Sequence, residues 1–307
     1  MGHKIAVYGA SGTTGQFVLA ELKKRGHEPQ PFGRAQATAD NPAALDRALE
    51  GAAAVINTAG PFAVTAGPLI TAAERAGIPY VDVAAEIEAN ADTLARGASI
   101  PVVPAMAFFG GLADLLVTAA MAGWDHADEA HIAYGLSGWQ PTASTLTAGK
   151  VSRERRDGQR VRFHDGKLTY HSDTAPVLTW EFSDGTRQVI GEFSMADVVT
   201  VPSHLRIPSV TNYMSTEAAT GLQTAQTRQE PETFEVDVRV RRATEERRLT
   251  ASGKDIYAVS APLAVEATER LLSGRFNVTG AASAGKMFDA PDFLKSLVDV
   301  IQTTDCS

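Results

Sequence analysis

The segment KIAVYGASGTTGQFVLAEL, residues 4 to 22, places glycines at 9, 12 and 15 between an apolar run and an amphipathic one. Glycine costs conformational entropy inside strands and helices, so three in so short a stretch mark a backbone with special demands. Lys4–Tyr8 reads as a short buried strand and Gln16–Leu22 as the start of a helix. Strand, glycine turn, helix is the context in which this spacing binds a dinucleotide. Gly9 would permit the tight turn, Gly12 would let backbone amides approach a pyrophosphate, and Gly15 would let helix and strand pack closely. The anion would rest on free amides at the positive end of the helix, with Ser11, Thr13 and Thr14 adding hydroxyl donors.

The chain downstream supplies the rest of such a unit. HEPQPFGRA is a polar, edge-like strand ending at Gly33-Arg34. That end of a doubly wound sheet lies beside the adenosine ribose, where an acid holds the 2′-OH of NAD and an arginine accommodates the 2′-phosphate of NADP. Arg34 stands there with no acid within three residues, so NADP is the cofactor expected. ATAD reads as a short strand ending at Asp40, also assigned to the cofactor site, and Pro42 suits the first turn of a helix closed by Gly51. AAVINTAG is a buried strand ending in a Gly-Pro turn. Ligands of open α/β sheets bind beyond the carboxyl ends of the strands, which places Thr58, Ala59, Gly60, Pro61 and Phe62 at the cofactor. GPLITAAERAG is a further helix, IPYVDVAAE a strand with Asp82 and Glu86 at its exit, and SIPVVPAMAF a sixth strand. The expectation is an α/β fold with a Rossmann-type doubly wound parallel sheet over residues 1–122.

From about Asp128 the pattern changes. ADEAHIAYGLSG reads as a strand and TASTLTAGKVSRERR as a helix behind Thr142 or Ser144. RVRFHDGKLTYH, PVLTWEFSDG, TRQVIGEFSMADVVTVP and SVTNYMST are strand-like runs between turn signals. In TFEVDVRVRR, Phe234, Val236, Val238 and Val240 alternate with Glu235, Asp237, Arg239 and Arg241, the period of a half-buried antiparallel strand. A second, α+β domain of mostly antiparallel strands is expected over 123–256, with 257–307 returning to the first domain as helices. Its sheet, with one apolar and one charged face, suits a homodimer contact. The Arg153-Arg155-Arg156 and Arg247-Arg248 clusters alternate with acids and read as solvated faces.

VYGASGTTG, VINTAGPF, GPLITAAERAGIPYVDVAAE and FFGGLADLLV, with SGKDIYAVSAPLAVEATERLL and GKMFDAPDFL near the end, resemble the saccharopine dehydrogenase-like oxidoreductases. That group includes saccharopine reductases and trans-acting enoyl reductases. The resemblance covers both ends of the chain, more loosely its middle, and implies a nicotinamide-dependent oxidoreductase whose second domain closes over the cofactor. Ala105–Phe109 stands where enoyl reductase-like members carry Gly-Phe-Asp-Ser, Ala84-Ala85 replaces Thr-Gly, and the chain is shorter than those members. These departures leave the substrate and the reduced bond open.

Bulk properties exclude several partners. A formal charge of −8 argues against nucleic acid. One cysteine, Cys306, provides neither an intrachain disulfide nor a Cys-based metal site, and the seven histidines lack metal-ligand spacing. Without a leader pattern or an apolar run of membrane-spanning length, a soluble cytoplasmic protein is expected.

The chemistry must then come from few groups. No tyrosine is followed four residues on by lysine, so the short-chain reductase Tyr-x-x-x-Lys arrangement is absent. Asp82 reads either as a ribose contact or proton relay, or as a cap on its turn; Glu86 reads the same way, or as an acid favoured at a helix start. Tyr257 reads as a proton donor or as an inter-domain packing group. Phe62 and Phe109 would floor a substrate pocket that Tyr134, Trp139 and Lys150 help to line, with Trp139 as a lid or a packing residue. The function expected is NADP-dependent hydride transfer to a C=C, C=N or C=O bond of a small or medium organic molecule. The alternative is a non-catalytic NADP-binding sensor or interaction protein.

Overall fold

The computed structural model describes residues 2–221 and 230–305, so Cys306 lies outside the described residues. The first half runs β1 (Lys4–Tyr8), α1 (Thr13–Lys24), β2 (Glu28–Phe32), α2 (Pro42–Ala48), β3 (Ala54–Asn57), α3 (Phe62–Ala76), β4 (Tyr80–Asp82), α4 (Ile87–Leu94) and β5 (Val102–Val103). The five strands form one parallel sheet in the order β2-β1-β3-β4-β5. Local signals explain the boundaries. The Asn41 side chain caps α2 by accepting from Ala44 N (3.1 Å) ahead of Pro42, and α3 stops at Gly77 in the left-handed region at φ 67°. The expected strand ending at Asp40 does not form. Residues 37–40 make turns between β2 and α2, with Ala37 buried, so SIPVVPAMAF supplies the fifth strand, not a sixth.

An irregular turn, Phe108–Leu112, leads into α5 (Ala113–Met121) and the second half. Here β6 (Glu129–Leu136), α6 (Ala143–Arg155), β7 (Arg160–His164), β8 (Lys167–His171), β9 (Val177–Phe182) and β10 (Gly185–Gly191) are followed by a short α7 (Asp197–Thr200). Then come β11 (Ser209–Ser215), α8 (Thr216–Gly221), β12 (Thr233–Arg242) and β13 (Glu245–Lys254). The chain closes with α9 (Ser260–Leu272), α10 (Ala284–Met287), α11 (Ala290–Lys295) and β14 (Gln302–Asp305). The second sheet has nine strands, with the path β14-β13-β12-β6-β11-β10-β9; β7 pairs with β11 and with β8. Its pairings are antiparallel except β6 with β11. RVRFHDGKLTYH is thus a hairpin, and the TRQVIGEFSMADVVTVP run ends its strand at Gly191 before α7. The closing segment contains β14 as well as helices, and that strand joins the second sheet.

β12 keeps its alternation, but its charged face is solvated only at the Arg241 end. Glu235 and Asp237 are buried. Asp237 accepts from Trp180 Nε1 (2.9 Å) on β9 and from Arg248 Nε (3.1 Å), so the β9–β10 hairpin reaches back across that face. Phe182 of the hairpin fills the space over Gly135, where a Cβ would lie 2.7 Å from its ring. Four of the five clustered arginines are likewise engaged, Arg153 being the exception. Arg247 donates to the carbonyls of Ala120, Met121 and Ala122 at the end of α5 and lies 3.9 Å from the Trp124 ring centroid. Arg155 pairs with Asp92 (2.7 Å) and Arg156 with Glu88 (3.1 Å), joining α6 to α4 across the two halves. Such an ion pair contributes specificity of docking as much as net stability.

Two buried carboxylates hold the turns between the sheets. Asp82 Oδ1 accepts from Ala84 N (3.0 Å) and Ala105 N (2.9 Å), while Oδ2 accepts from Tyr80 Oη (2.9 Å). Asp197 accepts from Tyr134 Oη (2.9 Å), Asn212 Nδ2 (2.9 Å) and Gly110 N (3.1 Å). Burial outweighs these donors, and each carboxyl is pushed up to about 6. A carboxyl that titrates higher when folded than when unfolded binds protons more readily in the native state. Its contribution to stability is therefore greatest below the unfolded value, near 4, and is lost as pH rises through about 6. Glu86 is raised by burial in the same sense, whereas Glu129, Glu192 and Glu266 are lowered and act only in more acidic solution. The thermal midpoint should thus rise by roughly 5 °C between pH 7 and pH 5. Asp82→Asn and Asp197→Asn, followed by calorimetry at both pH values, should each flatten that slope; a midpoint that falls on acidification would contradict it.

Candidate functional site

The first glycine turn folds as three separate steric demands. Gly9 has φ 83°, and a Cβ there would lie 2.8 Å from both Cβ and N of Ala59. A Cβ on Gly15 would run into Gly9 O and lie 2.9 Å from Ala10 Cα. At Gly12, by contrast, an added Cβ meets only Gly9 O, at 3.3 Å, and is otherwise in open space. Gln16 Nε2 donates to Ala10 O (2.6 Å) and fixes the loop. No side chain caps α1, so the amides of its first turn face outward with a partial positive charge.

That helix end opens into a cavity of about 510 Å³ between the two halves. Gly12, Thr13, Thr14, Thr58, Gly60 and Phe62 form its parallel-sheet wall. Opposite stand Trp139 and one face of α6, from Thr145 through Ala148, Gly149 and Ser152 to Arg156. Phe108 and Phe109 give an aromatic floor, and Tyr257 and Ser260 close the cavity from the returning segment. Phe109 lies 5.0 Å, centroid to centroid, from both Trp139 and Tyr134. The far end carries Arg153, Arg156, Arg160 and Ser194.

α3 also points its N-terminus at this cavity, but its amides are taken. Glu86, buried, accepts from Phe62 N (2.9 Å) and Ala63 N (3.1 Å). Glu86 therefore caps α3, not its own helix. Of these two helix ends, the uncapped α1 is the one left for an external anion. Its surroundings fit a pyrophosphate: a glycine with space in front of it, free amides, and the Thr13 and Thr14 hydroxyls.

Tyr257 is the centre of a small polar group. Its Oη shares a hydrogen bond with Thr145 Oγ1 (2.9 Å) and accepts longer ones from Trp139 Nε1 and Thr142 N (3.3 Å each). Thr145 Oγ1 continues to Thr142 Oγ1 (2.9 Å), the N-cap of α6. Trp139 packs against Phe109, the second of its two readings, and lines the cavity.

Several sequence-based assignments change. Asp82 does not line the cavity; its carboxylate contacts are to Tyr80, Ala84 and Ala105, the geometry of the turn cap that was one of its two readings. Lys150 projects into solvent beside Glu154 (3.7 Å), because it sits on the outer face of α6. Tyr134 is buried against Asp197 behind the floor. Gly9, Gly15 and Ala59 shape the turn without lining the cavity, Pro61 is the N-cap of α3, and Ser11 is exposed. Arg34 and Asp40 stand together on the exposed loop after β2, where both act electrostatically on Tyr8, outside the cavity proper. Ser194 and Arg153 on the cavity wall escaped sequence reasoning, whereas Thr142 starts α6 as expected. Thr145 and Arg153 are one helical face apart in sequence, a signal that the weak amphipathicity of α6 hides. Among the described residues no group of His, Cys, Asp or Glu could hold a metal ion, and no helix is long and apolar enough to cross a membrane.

No protein-family model matches the sequence, and no curated protein matches it. Among solved structures, the C. glutamicum DAP dehydrogenase in complex with DAP is similar over 97% of this chain and 98% of its own, at 13% identity and a TM-score of 0.51. An engineered D-amino acid dehydrogenase bound to NADP+ matches over 97% of this chain and 99% of its own, at 15% identity and a TM-score of 0.49. A Burkholderia pseudomallei protein is 28% identical over 28% of this chain, which spans about half of that one (49%), with a TM-score of 0.25. The end-to-end likeness to DAP dehydrogenase shows a shared two-domain architecture of a Rossmann-like parallel sheet and a second, mostly antiparallel one.

The open space before Gly12 predicts a specific mutant phenotype. Gly12→Val should leave the circular dichroism spectrum and thermal midpoint close to wild type, since the added side chain meets little protein. It should abolish binding of NADPH in a fluorescence titration, because the valine occupies the space a pyrophosphate needs. Unchanged NADPH affinity would show that the turn serves the fold alone.

Proposed function

We propose that this protein is an NADP-dependent oxidoreductase that transfers a hydride to a C=C, C=N or C=O bond of a small or medium organic molecule. The observation that carries the reading is the uncapped α1 N-terminus opening, past Gly12, into an inter-domain cavity of about 510 Å³. The fold shared with a dehydrogenase over 97% of the chain supports it, as does the sequence resemblance to saccharopine dehydrogenase-like oxidoreductases. Thr13 and Thr14 with the first amides of α1 would hold the pyrophosphate, Arg34 the 2′-phosphate, and Thr58, Gly60 and Phe62 the nicotinamide end.

A bound nicotinamide supplies the hydride. The chain's own part is to orient the acceptor, exclude water and deliver the matching proton. Tyr257 is suited to the last task. Its oxygen accepts N–H groups from Trp139 and Thr142 and shares a hydrogen bond with Thr145 at the cavity wall, within a group of hydroxyls that can pass a proton. As the hydride adds to one atom of the double bond, the Tyr257 proton would pass to the other. Thr145 and Thr142 then provide a hydroxyl path by which Tyr257 regains a proton. Phe108, Phe109 and Trp139 keep that end of the cavity dry.

Two measurements test this reading. NADPH should bind at least tenfold more tightly than NADH, and Arg34→Ala should remove most of the difference, a loss of roughly 1.5–3 kcal/mol less solvent screening at this exposed site. Equal affinities in the wild type would contradict the cofactor assignment. Oxidation of NADPH against a panel of enones, imines and carbonyl compounds should reveal turnover, and binding without turnover of any class would contradict the enzymatic reading. For a compound that is turned over, Tyr257→Phe should lower kcat by about a hundredfold with little change in KM. An unchanged kcat would return Tyr257 to a packing role.

A further inference from the structure

The three arginines at the far end of the cavity differ in what they already hold. Arg156 is half-enclosed and donates to Glu88 (3.1 Å) and Ser152 (2.7 Å). Arg160 donates to the carbonyls of Gly191 (2.6 Å), Glu192 (2.7 Å) and Asp173 (3.2 Å) and pairs with the Glu192 carboxylate (3.6 Å). Arg153, exposed, lines the same cavity, and its guanidinium makes no hydrogen bond or ion pair with any described residue. The acid on the cavity wall, Glu86, is committed to the amides of Phe62 and Ala63. Glu88 and the Glu192 carboxylate answer Arg156 and Arg160, which leaves the Arg153 guanidinium at this end to answer an anion.

Arg153 lies on the face of α6 that also bears Thr145, the partner of Tyr257. The two positions are separated by about 12 Å of helix axis. Between them the wall is Ala148, beside Gly60, with Gly149 and Ser152. The cavity thus has a proton-bearing end, an apolar middle and a cationic mouth. A phosphate dianion would call for several convergent donors, whereas one free guanidinium matches one carboxylate in a two-pronged contact.

Resting on the oxidoreductase reading above, we propose that the substrate is an amphipathic organic acid whose carboxylate, remote from the reacting bond, pairs with Arg153. Its apolar body lies along Ala148, Gly149 and Trp139, and the bond to be reduced sits at Tyr257. Arg153 is a binding and orienting residue, with no part in proton or hydride movement.

The test needs no turnover. 3-Phenylpropanoate, its amide and the corresponding phosphonate would be titrated against the protein, reading the change in tryptophan emission that is lost in Trp139→Phe. The acid should bind about tenfold more tightly than the amide, the gain of one charge-assisted contact at a partly exposed site. Arg153→Gln should erase that preference, and Arg153→Lys should restore part of it. NADPH affinity should be the same in all three chains, so a failure of cofactor binding is read separately from a failure of this proposal. Equal affinity for acid and amide, a preference that survives Arg153→Gln, or no saturable signal from either compound would overturn it. A phosphonate that outbinds the acid would overturn the choice of head group.

Discussion

The Cβ positions of Gly9 and Gly15 are already filled, by Ala59 and by the Gly9 carbonyl, and the approach this permits brings α1 against the sheet edge. Every feature of the cavity follows from that approach. It aims the α1 amides past Gly12 and sets the β3–α3 turn beside them. A side chain larger than hydrogen at either position would push the helix away and with it the uncapped positive end that opens into the cavity. Glu86 shows the contrast at α3, where the protein supplies its own anion. Two neighbouring helix ends thus have different uses: one is a structural joint and the other a receptor.

The second constraint is how the two halves are held together around this opening. α9 returns from the second sheet to pack on α1, and Arg25 ties them by bonding Glu21 (2.7 Å), Glu266 (2.7 Å) and Glu269 (2.6 Å). Glu266 also meets Arg270 (2.8 Å), itself almost fully buried. On the other side α6 is fastened to α4 through Arg156 and Arg155. Phe108 sits between, packing 4.7 Å from Phe234 of the antiparallel sheet and 4.7 Å from Phe109 of the floor. Burying such ion pairs is worthwhile chiefly where orientation matters, since an apolar contact would be as stable but less directional.

The parallel half was legible because each of its elements carries a local signal: apolar runs for strands, Pro42 and Gly77 for helix ends, and glycines for the turn. ATAD failed as a strand because β-branched content and alternation are too slight over four residues to compete with the Asn41 cap that follows. In the second half, strand existence was readable but pairing was not. The burial of Asp237 depends on Trp180, 57 residues earlier in sequence, and no local pattern encodes that contact. The same holds for the site. Tyr257 and Trp139 could be nominated from their residue types, whereas Thr142, Thr145 and Arg153 acquire meaning only from the face that α6 turns toward the cavity. Asp82 stood open between two readings for a related reason: a strand-end acid looks the same in sequence whether it points at a ligand or, as here, at the backbone amides of Ala84 and Ala105.

The central claim is that the inter-domain cavity is a dinucleotide site organised by the α1 N-terminus. A crystal structure of the protein with NADPH tests it directly. The account predicts the pyrophosphate within hydrogen-bonding distance of the Thr13 and Thr14 amides, the 2′-phosphate beside Arg34, and the nicotinamide in the cavity facing Tyr257. Density for the cofactor elsewhere on the molecule, or a pyrophosphate away from Gly12, would contradict it.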